Sequence, residues 1–505
     1  MSLFKRTRSH TANGSIFSRL LGRSNADPPG EVLPLGHPDQ VLLQLSPVDT
    51  FTIEDSFSHV HICGRAGSGK SSTVGDTAAL SMLRQGYGGL VVSAKPEREH
   101  WQRLCRAAGR EDDLIVINAH GNVPFNFLDY AVQTAGAGYA TEAADLFMEG
   151  CKAAVPPNQR NAAAADPFWS TSATQLISHA IRLLHSAGET VSVPAVMDVL
   201  QSLPTSLDDV RDQAWWDGSF AAQCIRAADE RLDEDDPERY DFDRTSAFIL
   251  KETAAWGDKT RSSIVACVSA PADALMSNPL RSVLCGGLVV RPEDALIRDK
   301  ILLVDLPSLQ TGVAGRIANA ILKRSFMDAV QRRDPSVGPP VFIWSDEAHE
   351  NLLANNRDAT FAATARSQRC ALVYLTQGRT NYDAVIGKEP GSSLLGNFAI
   401  HYGLSNGCVA TNEWFAQAIG KTWAVHTGIS QNTPSHPGQH GQGSSGSNIS
   451  ESFDDQFPAQ RFTTLRACSP QTGGLADAVC LQSGRVWQAN GLNHLPVVFQ
   501  RVELP

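Results

Sequence analysis

The chain has little that would mark it as secreted, membrane-spanning or built around a metal. None of its ten cysteines has a partner at CxxC spacing, and no histidine pair completes a zinc pattern. This reads as reduced, buried thiols in a cytosolic protein, not as a disulfide framework. No apolar run in the sequence approaches the ~20 residues needed to cross a bilayer. Positive charge is also in short supply. Lys and Arg total 43 against 53 Asp and Glu, a formal charge of −10. That excludes a surface gripping nucleic acid everywhere, and leaves room only for a focused basic strip. The opening MSLFKRTRSHTANGSIFSRLLGRSN is basic but lacks the apolar core and cleavage site of a signal peptide. It reads as a basic, disordered arm; the alternative is an amphipathic turn at IFSRLL resting on a membrane surface.

What is present is an alternation of apolar strands and helices. At 505 residues the expectation is two domains, or one large domain carrying an insertion. Residues 1–50, rich in Pro, Gly and polar side chains, read as an arm or linker. SHVHICG is then a strand, GRAGSGKSS a glycine turn and TVGDTAALSMLRQG a helix. GGLVVSAK (88–95) and DDLIVINAH (112–120) are further strands. DKILLVDLP (299–307), PPVFIWSDE (339–347), CALVYLTQ (370–377) and NFAIHYGLS (397–405) follow much later. Between them the texture is helical, with acidic runs such as DERLDEDDPERYDFD (229–243). The expected fold class is α/β: a RecA-like P-loop NTPase domain split into 51–139 and 286–505, with a mostly helical insertion over 140–285. The Gly/Ser/Pro/His-rich stretch NTPSHPGQHGQGSSGSN predicts a flexible loop over 430–450.

Gly64-Arg65-Ala66-Gly67-Ser68-Gly69-Lys70-Ser71 fits G-x-x-x-x-G-K-[ST] at every fixed position, and Ser72 follows it. Glycines let successive backbone N–H groups turn inward on a phosphate, and the following helix adds its positive end. Lys70 suits the β and γ phosphates of ATP, and the Ser71 hydroxyl is a hard oxygen for Mg²⁺. A strand before the motif and a helix after it supply the required context.

Two strands end in acid: LLVDLP at Asp305 and VFIWSDE at Asp346–Glu347. Phosphoryl transfer to water needs one acid for Mg²⁺ and a second group for the water. Asp346 is therefore assigned to the metal and Glu347 to the attacking water. Asp305 is followed by Leu306 and Pro307, which supply no second group. Gln377, after the next strand, can sense the γ-phosphate. Arg366, upstream of that strand, is the candidate for reaching a neighbouring subunit's nucleotide. The letters Asp346-Glu347-Ala348-His349 also spell a helicase box. In those helicases the box follows the phosphate loop by roughly one hundred residues, whereas Asp346 lies 276 residues after Lys70, and no QRxGRxGR-like motif comes later. His349 is read as incidental.

In order along the chain, GRAGSGKSS, LVVSAKPEREHW, VPFNFLDY, DPFWSTSATQLI, GDKTRSSIVACVSAPADALMSNPLRSVL, ILLVDLP, VFIWSDEAHENL and ARSQRCALVYLTQ resemble the type IV secretion coupling proteins, conjugative DNA-transfer ATPases of the FtsK–HerA clan of translocases. NEWFAQAIGK and the stretch from FPAQRFTTLRACSP to NHLPVVF resemble the closing elements of that family. The resemblance covers roughly 55–500. It implies a homo-hexameric ring that hydrolyses ATP with Mg²⁺, moves DNA or a protein–DNA conjugate, and works with a relaxase or other secretion-system proteins. It also implies a cytoplasmic location, peripheral at the inner membrane through partners or the basic arm. Two features depart from the family: it usually carries N-terminal transmembrane helices, and Ala94 stands where an acid is common. A nucleotide-gated recruiting adaptor and a DNA translocase of phage defence or DNA processing are the rival readings.

Overall fold

The computed structural model describes residues 33–120, 122–156, 167–432 and 444–505. Thirteen strands occur among them: β1 (Val41–Gln44), β2 (Thr50–Thr52), β3 (Val60–Cys63), β4 (Gly88–Ser93), β5 (Leu114–Asn118), β6 (Ile301–Asp305), β7 (Val341–Asp346), β8 (Cys370–Thr376), β9 (Ile400–Leu404), β10 (Lys421–Asn432), β11 (Ser444–Asp455), β12 (Leu475–Gln482) and β13 (His494–Gln500). Nine of them form one sheet in the order β13-β12-β9-β3-β8-β7-β4-β6-β5. From β9 to β5 all pairings are parallel; β12 and β13 add an antiparallel edge. Strands β3, β4, β7, β8 and β9 are buried along their whole length, which is why each reads as a continuous apolar run. The expected α/β architecture, a parallel sheet split by a helical block, is what forms.

Register decides what meets what. Cys63 sits beside Thr376 across β3–β8, Ser93 beside Asp346 across β4–β7, and Asn118 beside Asp305 across β5–β6. The carboxyl ends of the parallel strands therefore share one edge, where open α/β sheets place their ligands.

Between β5 and β6 the described residues carry helices and no named strand, including Tyr139–Ala154, Pro167–Ser186, Val193–Gln201, Phe220–Arg231 and Asp258–Met276. This block shares a core with the sheet. Leu146, Phe147, Leu176 and Ile181 belong to the same apolar cluster as Leu90, Val92 and Ile321. A Cβ on Gly150 would stand 2.9 Å from Ile321 Cδ1, so the helices Tyr139–Ala154 and Val313–Arg332 meet backbone-close there.

Two boundaries differ from the sequence reading. Residues 35–50, grouped with the N-terminal arm, carry β1, whose Leu42 and Leu43 are buried together with Leu45 just beyond it. The basic stretch 1–32 lies outside the described residues. The flanks of the expected 430–450 loop are strand: β10 and β11 pair antiparallel from Lys421↔Asp455 to Asn432↔Ser444, and 433–443 lie outside the described residues. Alternation explains the ribbon. Trp423 and Val425 fall on the same face as Ile449 and Phe453, with the Trp423 and Phe453 rings 5.4 Å apart.

A buried polar network braces the loop after β7. Asp358, at the start of the helix Arg357–Ala365, accepts from Lys323 Nζ at 2.5 Å, Tyr374 Oη at 2.6 Å and the Leu353 amide at 2.8 Å. Lys323 also donates to the Asn351 carbonyl at 2.9 Å. Lys323 and Asp358 are both buried. Asp358→Ala leaves a buried ammonium without its counter-charge, and urea denaturation should show a loss of about 3–5 kcal/mol. Lys323→Met with Asp358→Leu should recover only the part due to the unpaired charge, because the Tyr374 hydroxyl and the Leu353 amide still lose their acceptor. A loss below about 1 kcal/mol in the single variant would mean that the network contributes no more than an exposed pair.

Candidate nucleotide site

The phosphate loop joins β3 to a wide π-helical turn at Ser71–Gly75 and then to the helix Asp76–Arg84. The turn arises because the Gly75 amide reaches back five residues to the Lys70 carbonyl at 2.9 Å, while the Thr73 hydroxyl caps the Gly69 carbonyl at 2.7 Å. Such turns concentrate at functional sites. Gly67 and Gly69 have φ of +74° and +98°, where a side chain is strained, and a Cβ on Gly69 would lie 2.6 Å from Cys468 Cβ. The Ser68 hydroxyl is buried and has no hydrogen-bond partner. A glycine-built curl and an orphaned hydroxyl fit a phosphate.

Five of the expected residues converge here. Ser71 Oγ donates to Asp346 Oδ2 at 3.1 Å. Lys70 Nζ lies 3.4 Å from Glu347 Oε1, and Gln377 Nε2 donates to that same oxygen at 3.1 Å. Strand order explains this. β8 lies between β3 and β7, so the loop after β3 meets the acid after β7 across the end of β8, where Gln377 stands. Glu347 is left-handed at φ +49°, a strained backbone for a residue with a side chain. That twist follows directly on β7, where the Asp346 carboxylate accepts from the Glu347 amide at 2.8 Å. Ser71 and Asp346 together fit a Mg²⁺ ion.

The structure adds residues that sequence reasoning missed. Lys95 Nζ lies 2.7 Å from Glu347 Oε1, closer than Lys70. Its signal was its place two residues beyond a strand that turns out to neighbour β7. Glu97 and the pair His100–Asp76, 2.8 Å apart, stand on the same side. Burial together with the charges of Asp346 and Asp76 pushes the Glu97 carboxyl up to about 7. For Glu347 burial acts upward, but the Lys95 hydrogen bond, Lys70 and Gln377 outweigh it and hold the carboxyl down at about 2. His349, read as incidental, sits with Nδ1 3.9 Å from Glu347 Oε2 and 3.4 Å from the Thr376 hydroxyl. The C-terminal segment also borders the loop: the Cys468 amide donates to the Ser68 carbonyl at 3.2 Å, and the Val502 amide to the Ser72 carbonyl at 3.1 Å.

Two candidates stand apart. Asp305 ends β6, which β4 separates from β7, and its partner is Arg98 at 3.8 Å. Arg366 precedes β8 at the end remote from Thr376, so the seven-residue strand puts about 20 Å between it and this chain's own phosphate loop. Its side chain is 63% exposed, beside Glu54 at 3.3 Å.

No protein-family model and no curated protein sequence matches the chain. Solved structures do. The bacterial conjugative coupling protein TrwB, in an unbound form lacking its N-terminal segment, superposes with a TM-score of 0.57 at 14% identity, covering 92% of this chain and 89% of that one. TrwB with an ATP analogue, ADPNP, gives 0.53 at 14% identity over 89% and 86%, and TrwB with ADP and Mg²⁺ gives 0.54 at 13% over 90% and 88%. No helix among the described residues is long and apolar enough to cross a membrane. Over nearly its whole length, then, the chain has the fold of a conjugative coupling protein, a RecA-like sheet with a helical domain.

Proposed function

We propose that this protein is a Mg²⁺-dependent ATPase that assembles as a ring of six copies and couples hydrolysis to the movement of DNA or a protein–DNA conjugate. The convergence of Lys70, Ser71, Asp346, Glu347 and Gln377 at one strand edge carries the reading, and the fold shared with TrwB, whose structures hold an ATP analogue and ADP with Mg²⁺, supports it. Residues 64–72 hold the phosphates, Ser71 and Asp346 the metal, and Glu347 takes a proton from the attacking water. Mg²⁺ there would neutralise charge developing on the phosphate oxygens. Gln377, which donates to Glu347, senses the γ-phosphate in this reading. In this reading Arg366 acts on a neighbour's nucleotide, and its exposure and distance from its own loop support that. With a net charge of −10, DNA contact is confined to a basic strip facing the pore.

The experiment is ATP turnover with and without single- and double-stranded DNA, together with particle images in the presence of an ATP analogue. Stimulation by DNA and closed rings are expected. Turnover indifferent to DNA, with no rings, would favour a nucleotide-gated adaptor that recruits substrates of a secretion system.

A further inference from the structure

Beyond the assigned machinery, one cation at the site has no role yet. Lys95 follows β4, and β4 runs beside β7 with Ser93 opposite Asp346. Two residues further on, Lys95 rises above the same edge as Glu347. Its backbone is held in place. Asn319, on the helix Val313–Arg332, takes the Ser93 amide on its Oδ1 at 3.3 Å and donates to the Ser93 carbonyl at 3.3 Å, and the Leu309 amide donates to the Ala94 carbonyl at 3.0 Å. Its side chain is far less confined, 46% exposed against 8% for Lys70. The backbone leading to Lys95 is hydrogen-bonded, and the side chain is open to solvent.

Three donors crowd onto Glu347 Oε1: Lys95 at 2.7 Å, Gln377 at 3.1 Å and Lys70 at 3.4 Å. Glu347 Oε2 is buried and has no hydrogen-bond partner among the described residues. One carboxylate oxygen does not need two ammonium groups and an amide. A terminal phosphate seated in the loop offers new oxygens to the donors that can reach them, and Lys95 is the nearest to Glu347 and the most exposed of the two lysines. We infer that Lys95 is a second phosphate-reading lysine, which leaves Glu347 for the terminal phosphate of a nucleoside triphosphate and so ties release of the water-activating carboxylate to the presence of that phosphate. The inference rests on the ATPase reading above. It makes Lys95 selective: a diphosphate places no group within its reach, whereas Lys70 serves both nucleotides.

The test compares binding of a fluorescent ADP and of fluorescent ATPγS to the full chain, wild type and Lys95→Ala, with Lys95→Arg as the charge-preserving variant and thermal melting to establish folding. ADP affinity should stay within about twofold, ATPγS affinity should fall about tenfold, and kcat should fall about 10²-fold, the scale of losing one positioned donor to a developing charge. Lys95→Arg should restore part of the ATPγS affinity. Equal weakening of both nucleotides, or unchanged kcat, would reduce Lys95 to a structural counter-charge for Glu347 and overturn the inference. A wild type that binds neither nucleotide would overturn the ATPase reading itself, and the inference with it.

Discussion

Glu347→Gln is expected to keep ATP bound and to lose its hydrolysis, with kcat falling by about 10²- to 10⁴-fold. The amide matches the carboxylate in shape, and its oxygen still accepts from Lys95, Lys70 or Gln377, so the loop keeps its geometry. What is lost is the ability to take a proton. In hydrolysis the water oxygen forms a bond to the γ-phosphorus as the bond to the ADP oxygen breaks, and the water's proton must go to a base within reach. Glu347 is buried and adjoins both Lys70 and Asp346. The measurement is phosphate release alongside retention of labelled ATP on the protein. Near-normal turnover in Glu347→Gln would remove Glu347 from the role and send the search to His349, whose Nδ1 lies 3.9 Å from it.

Lys70→Ala has the second largest effect, this time on binding. Lys70 is 8% exposed and faces Glu347, so its charge is already desolvated and directed. Truncating one member of a buried, hydrogen-bonded charge pair costs about 3 kcal/mol or more, roughly 10²-fold in affinity. Both ADP and ATP should weaken, because the lysine sits in the loop proposed to cradle the phosphates common to both. Titration with a fluorescent nucleotide reads it directly. The fold should survive, since Lys95 still neutralises Glu347 and Gln377 still donates a hydrogen bond to it. A Lys70→Ala protein that binds ADP as tightly as wild type would show that the glycine loop is not where the phosphates lie.

Much of this was legible from the chain because the signals are local. The phosphate loop is fixed by glycines whose positive φ excludes other residues. The seven parallel strands announce themselves as short apolar runs, and five of them bury every side chain because both faces of the sheet are covered there. Asp346–Glu347 was distinguishable from Asp305 because two adjacent acids can share two tasks. The ribbon of β10 and β11 was obscured by composition: the sequence between the two strands is rich in Gly, Pro and His, and the alternation that makes the ribbon lies in the residues on either side.

The sequence by itself determined the α/β class, the helical insertion and the residues able to handle phosphate and metal. Each of these follows from backbone freedom, hydrophobic period or side-chain chemistry within a few neighbouring positions. Only the tertiary structure decided who stands beside whom. Strand order put β8 between the loop and the acid, so Gln377 meets Glu347. It also put β4 next to β7, so Lys95 does so too, and it moved Asp305 one strand beyond reach. Strand order is a global property: it depends on how helices from distant parts of the chain pack on the two faces of the sheet, and no local window of residues encodes it.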